Sequence, residues 1–197
     1  SRGIDANTYK EKSINLQDKF ETDMTSHVGI GHTRWATHGK VNLKNTHPIY
    51  SQNGIVSIVH NGTIDNYEAI RRSLVKIGLS FCTDTDTEDV ANLIQYNLYD
   101  ILDRTFPSEI KKTISIKEAI KNSLRSLRGQ NAFVVKIDNH IYAYSDGIPL
   151  YISQCSKYLG SDPIVFDGHS NQCGRLKNDV LYELGVPDFI DCCIDEL

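Results

Sequence analysis

Three short stretches of this chain concentrate side chains able to grip and transform a small polar molecule. The first, Gly29-Ile30-Gly31-His32-Thr33-Arg34-Trp35-Ala36-Thr37-His38-Gly39, holds two imidazoles, two hydroxyls, a guanidinium and the only tryptophan. Such a density of directional donors and acceptors is costly for a packing surface and suits a ligand-binding loop. Arg34 beside Trp35 can clamp a carboxylate with two parallel hydrogen bonds, held rigid by its flat neighbour; a surface ion pair is the other use of the same group. The second stretch, Thr83-Asp84-Thr85-Asp86-Thr87-Glu88, is an acidic helix start. There Asp86 can receive an ammonium group, or serve capping alone, a role that Thr85 and Glu88 already fill. Arg34 and Asp86 together would recognise both ends of an amino-acid zwitterion. In the third, His60-Asn61-Gly62, the Asn61 amide and the Gly62 N–H can form an oxyanion hole. Asn-Gly is also a common turn dipeptide, and a turn alone accounts for it locally.

Metal chemistry fits less well. His27, His32, His38, His47 and His60 match no zinc spacing and have no cysteine beside them. The Asp84–Glu88 run lacks the glycine and the distal glutamate of a calcium loop. No metal and no cofactor is expected. A net charge of −4 and a pI near 5.9 argue against a nucleic-acid partner. No apolar run reaches membrane-spanning length, so no membrane partner is expected either. The five cysteines are odd in number and form no C-x-x-C pair, which favours reduced thiols and a cytoplasmic location.

These groups need a scaffold, and 197 residues with 40% hydrophobic content suffice for one domain spanning residues 1–197. The first ~25 residues are polar and aperiodic, so a loop is expected there. Gly54–His60 is β-branched and reads as a buried strand ending at the Asn61-Gly62 pair. A first amphipathic helix is expected over Ile64–Ile77, stopped by Gly78. A second starts at the capping box Thr85–Glu88 and runs through Ile101; a third starts at the capping box Ser115–Glu118 and ends before Gly129. The period then switches. Asn131–Ile137, His140–Tyr144, Leu150–Ser153, Tyr158–Gly160, Val180–Glu183 and Phe189–Ile194 read as strands, with a hairpin turn at Asp138-Asn139 and irregular chain over 167–178. Strands, then helices in series, then strands predict an α+β fold of helices layered on antiparallel sheet.

Taken in order, His32–Gly39, Asn45-Thr46-His47-Pro48, His60–Tyr67 and Thr85–Glu88 resemble the class II glutamine amidotransferases. Within that class they are most similar to the glutaminase domain of the glutamine–fructose-6-phosphate aminotransferase family. The resemblance is most specific over residues 29–88 and loosens towards Asp162. It implies a four-layer αββα sandwich of the N-terminal-nucleophile hydrolases, and hydrolysis of L-glutamine with transfer of ammonia to a sugar phosphate. It places Arg34 on the glutamine α-carboxylate, Trp35 on a closing loop that guards the ammonia passage, and Thr37, His38 and His47 around the glutamine site. Asn61 and Gly62 fall on the oxyanion hole, and Asp86 on the residue holding the substrate ammonium.

The family nucleophile is a cysteine at the mature N-terminus, in Cys-Gly-Ile on a central strand. Ser1-Arg2-Gly3-Ile4-Asp5 instead resembles a later family signature, Tyr-Arg-Gly-Tyr-Asp. The expectation is therefore that the first strand and its thiol lie upstream of Ser1. A second alignment would make Ser1 the nucleophile, against which the polar stretch Asp5–Asp18 counts. The partners implied are L-glutamine and a sugar-phosphate isomerase domain in cis or in trans, and assembly into a homo-oligomer is compatible with both. The contrasting expectation, from the same scaffold without a thiol, is a non-catalytic glutamine-binding or interaction domain.

Overall fold

In the computed structural model, which describes residues 28–32, 43–104, 109–166, 173–184 and 194–195, two antiparallel sheets lie against each other. The strands are β1 (Ile49–Tyr50), β2 (Val56–Gly62), β3 (Asn131–Ile137), β4 (His140–Asp146), β5 (Tyr151–Ser153), β6 (Leu159–Gly160), β7 (Cys173–Leu176), β8 (Leu181–Glu183) and β9 (Ile194–Asp195). One sheet has the order β1-β2-β3-β4-β8 and the other β6-β5-β7-β9. The helices are α1 (Tyr67–Lys76), α2 (Asp86–Arg104) and α3 (Glu109–Leu124).

Side chains alternate across a strand, and this alternation builds the layers. Val56, Ile58 and His60 of β2 sit opposite Ile137, Val135 and Phe133 of β3. That face packs on the helices through Ile70, Leu74, Val90, Ile94, Ile116 and Ile120, all buried. Each of these aliphatic side chains contributes about 1.5–3 kcal/mol relative to exposure. The opposite face, with Val134, Ala143 and Tyr182, meets Ile152, Leu159 and Leu176 of the second sheet. Helices layered on antiparallel sheet is the arrangement that the run of elements predicts, and the second sheet is the one that the resemblance implies. The second helical layer of an αββα sandwich is not among the described residues. No described helix is long and apolar enough to cross a membrane.

Several boundaries differ from the sequence reading, each for a tertiary reason. The first helix begins at Tyr67, not Ile64, because Asn66 is spent elsewhere: its side chain donates to Ser126 O at 2.8 Å and accepts from Arg128 N at 2.9 Å. The third helix begins at Glu109, so Ser115 is buried inside it and not at its start. Cys173–Leu176, within a stretch expected to be irregular, is a strand because β5 offers it an edge. Ile49–Tyr50 likewise pairs with β2 although it is too short to show a period. The Asp138-Asn139 turn closes β3 on β4 as expected, with Asp138 at φ +51°.

A buried carboxylate ties helix to sheet. Glu183 accepts from Lys117 of α3 at 2.6 Å and from His140 of β4 at 2.8 Å. Burial pushes the Glu183 carboxyl up, but the hydrogen bonds from Lys117 and His140 and the Lys117 charge outweigh it and hold it below the ordinary range.

Candidate functional site

The carboxyl end of β2 is where the described motifs meet. At Gly62 the chain turns with φ +133°, and a Cβ there would lie 2.3 Å from Gln130 O and 3.0 Å from Asn131 Oδ1. Only glycine permits this approach of β2 to the start of β3. Gly129, which the sequence reading treats as a helix stop, has the same function from the other side. It has φ +111°, and an added Cβ would lie 2.2 Å from Thr63 O. Asn61 is exposed at this end of the strand, beside the Gly62 backbone.

Asp86, the first residue of α2, is buried against the same turn. Its Oδ2 accepts from the backbone N–H of Ile64 at 2.9 Å, and its Oδ1 lies 4.0 Å from His60 Nδ1. The candidate ammonium partner thus abuts the segment that carries the candidate oxyanion donors. His47 reaches the site from the loop before β1. Its Nε2 is 3.1 Å from Thr87 Oγ1, and its ring meets His32 edge-on with centroids 4.8 Å apart. His60 Nδ1 is 3.0 Å from the same Thr87 hydroxyl, and its Nε2 is 2.9 Å from Asn131 Oδ1. The His60 ring stacks on Phe133 at 4.5 Å. Burial pushes the His60 imidazole down, against the pull of Asp86 and Asn131.

The acidic helix start is itself held in place by its neighbours. Asn45 and Asp84 exchange hydrogen bonds of 3.0 and 3.3 Å. The expected capping box is not reciprocal. Glu88 reaches past Thr85 to accept from Cys82 N at 2.7 Å and Thr83 N at 2.6 Å, while Thr83 Oγ1 accepts from Thr85 N at 3.2 Å. Arg71 of α1 stacks on Phe81 at 4.5 Å, donates to Thr85 O at 3.0 Å, and forks onto Asp89 with two bonds of 3.0 Å.

Asp89 is fully buried, and burial pushes its carboxyl up to about 6 despite Arg71; Glu88 and Asp86 push in the same direction. A raised folded-state value means that the folded protein takes up a proton before the unfolded chain does. Wild type is therefore expected to gain stability relative to Asp89→Asn as pH falls from neutrality to about 4. Urea midpoints across that range check this; a constant difference, or one of opposite slope, contradicts it.

Of the residues singled out from sequence, His47, Asn61, Gly62 and Asp86 come together here. Arg34, Trp35, Thr37 and His38 lie outside the described residues. Among the described residues, no group of three or more His, Cys, Asp or Glu is arranged to hold a metal ion. The sequence reading gives Thr87, Asn131, Gly129 and Arg71 no part in the site. Thr87 and Gly129 lay within recognised cap and stop signals, while Asn131 and Arg71 carried no local signal.

A model of the glutamine amidotransferase domain matches residues 16–105. The chain is 37% identical over 160 residues to a glutamine–fructose-6-phosphate aminotransferase (isomerizing) of Bartonella quintana (strain Toulouse), covering 78% of this chain and 24% of the relative. It is 36% identical over 182 residues to glutamine–fructose-6-phosphate aminotransferase (isomerizing) 2 of Bos taurus, covering 90% and 25%. The chain thus spans about a quarter of the length of the curated relatives it matches. Among solved structures, it is similar to glutamine phosphoribosylpyrophosphate amidotransferase from B. subtilis complexed with ADP and GMP. That match has TM-score 0.54 and 25% identity, over 77% of this chain and 33% of the other. The fold is the α+β sandwich of the N-terminal-nucleophile hydrolases. With domain model, relatives and fold in agreement, the chain belongs to the class II glutamine amidotransferases.

Proposed function

We propose that this domain is the glutaminase part of an amidotransferase that hydrolyses L-glutamine and delivers the ammonia to fructose 6-phosphate, giving glucosamine 6-phosphate. The observation that supports it most is the contact of Asp86 with Ile64 N–H at 2.9 Å, which sets a buried carboxylate against the Asn61–Ile64 segment. In this reading Asp86 holds the glutamine ammonium and Arg34 its α-carboxylate. Trp35, Thr37, His38 and His47 enclose the substrate. A cysteine thiol, which the resemblance puts at a mature N-terminus, attacks the carboxamide carbon. The Gly62 N–H and the Asn61 amide stabilise the oxyanion of the tetrahedral intermediate. The amide nitrogen takes the thiol proton, the C–N bond breaks to release ammonia, and water hydrolyses the thioester to glutamate and free thiol. The acceptor side requires a sugar-phosphate isomerase domain in cis or in trans. A reducing cytoplasm suits a thiol enzyme, and Cys82, Cys155 and Cys173 are free.

The test is carried out on the natural protein. Glutamate release from glutamine, with amino-sugar phosphate formed when fructose 6-phosphate is added, is the expected result. Glutamine binding without glutamate release would instead establish a non-catalytic binding domain, and release without amino sugar would overturn the acceptor. Arg34→Ala is expected to raise the glutamine KM by about 10- to 100-fold, the worth of a bidentate charge-assisted contact. An unchanged KM removes Arg34 from the site.

A further inference from the structure

With His60 neutral, the hydrogen bonds around Thr87 have one consistent direction, read outward from a single backbone carbonyl. Gly129 O is an acceptor only, so the Asn131 atom 3.0 Å from it is the amide nitrogen. Asn131 Oδ1 therefore faces His60, and His60 Nε2 at 2.9 Å carries the proton that Oδ1 accepts. A neutral His60 then has a bare Nδ1, which takes the single Thr87 hydroxyl proton across 3.0 Å. Having donated, Thr87 Oγ1 accepts from His47, so the His47 Nε2 at 3.1 Å bears its N–H. Burial and the stacked Phe133 favour the neutral His60, while Asp86 Oδ1 at 4.0 Å favours the charged one but has its other oxygen engaged by Ile64 N–H.

We propose that Thr87 is a positioning residue whose hydroxyl, donating to His60 Nδ1 and accepting from His47 Nε2–H, fixes the tautomer and ring orientation of both histidines. His60 is then the Nε2–H tautomer, and His47 carries a proton on its Nε2. The relay joins four segments: the loop before β1, the end of β2, the start of α2 and the start of β3. Its far end, Asn131, is the residue against which Gly62 packs. Thr87 is 1% exposed, and His47 and His60 are 7% and 4% exposed, so water does not compete for these bonds. The effect on glutamine rests on the function proposed above; the tautomers do not.

Nitrogen-15 NMR of the imidazoles in the natural protein reads the tautomers directly. Expected in wild type are protonated Nε2 at both His47 and His60, and a bare Nδ1 at His60. In Thr87→Val, of nearly the same shape, mixed signals are expected at both rings, and Thr87→Ser is expected to restore the wild-type pattern. Thr87→Val is also expected to raise the glutamine KM about tenfold, the worth of one buried hydrogen bond, with kcat changed less and Thr87→Ser near wild type. A proton on His60 Nδ1 in wild type, as the other tautomer or as imidazolium, overturns the relay. So does a Thr87→Val protein whose tautomers match wild type, or a KM that Val and Ser alter equally. If wild type shows the stated tautomers but releases no glutamate, the relay stands and the glutaminase reading fails.

Discussion

Asp86→Asn is expected to raise the glutamine KM by about 10- to 100-fold while leaving the melting temperature close to wild type, because a hydrogen bond to a charged group is worth about 1.5–3 kcal/mol. The two roles of this carboxylate can be separated. Oδ2 anchors the Ile64 N–H, and an asparagine carbonyl can still accept that bond. The negative charge, which the proposed mechanism assigns to the substrate ammonium, is lost. Asp86→Ala removes both. It leaves the Ile64 N–H without its acceptor in a buried setting, which costs about 1–3 kcal/mol of stability. The pair is thus diagnostic: KM should rise in both variants, and the melting temperature should fall only in alanine. A wild-type KM in Asp86→Asn would remove Asp86 from substrate recognition. Equal thermal losses in the two variants would show that the charge, not the anchor, sustains the turn.

The second large effect is expected at glycine. Gly62→Ala puts a methyl 2.3 Å from the Gln130 carbonyl oxygen at a φ of +133°, and backbone cannot move aside as a flexible side chain can. Overpacking and backbone strain together cost ~2–5 kcal/mol. For a domain of this size that lowers the melting temperature by roughly 5–15 °C. Gly129→Ala meets Thr63 O at 2.2 Å and is expected to behave alike, although Gly129 touches no proposed substrate group. Gly78 supplies the control, since its φ of +95° is also left-handed but an added Cβ there meets nothing within 4 Å. Gly78→Ala should cost only the conformational strain, about 1 kcal/mol. Differential scanning calorimetry of the three variants decides the matter. If Gly62→Ala loses no more than Gly78→Ala, the close approach of β2 to β3 is not what demands glycine at the site.

The relation between these two effects explains the arrangement of the site. Gly62 lets β2 pass close to the start of β3, which brings Asn131 to His60. The His60–Thr87 bond then carries the start of α2, and Asp86 with it, to the same turn. Removing Arg71, whose fork on Asp89 holds α1 to α2, would loosen that docking from outside. In the proposed site, catalytic and structural demands fall on adjacent atoms, so substitutions without substrate contact are expected to alter binding too.

Most of the framework was evident from one-dimensional pattern. The β-branched run of β2, the i, i+3, i+4 apolar rows of α1 and α2, and the β3–β4 hairpin all depend on neighbours a few positions away. Burial of one face and local hydrogen bonding decide them, and both leave periods in the sequence. The candidate groups were less plain: locally Asn61-Gly62 reads as a turn and Asp86 as capping, and His47 enters the proposed site only through the family resemblance. Three-dimensional packing decided what those groups bond to. Thr87 looked like one member of a capping run, yet its hydroxyl serves histidines 27 and 40 positions away, and His60 is bound by an asparagine 71 positions on. Glu88 left its expected cap for the amides of Cys82 and Thr83, Ser115 fell inside a helix, and Cys173–Leu176 became a strand because β5 presented an open edge. A local rule compares the few partners within a turn or two of chain. Folding lets distant donors and acceptors compete for the same hydrogen bond, and where a buried partner is better placed, it wins.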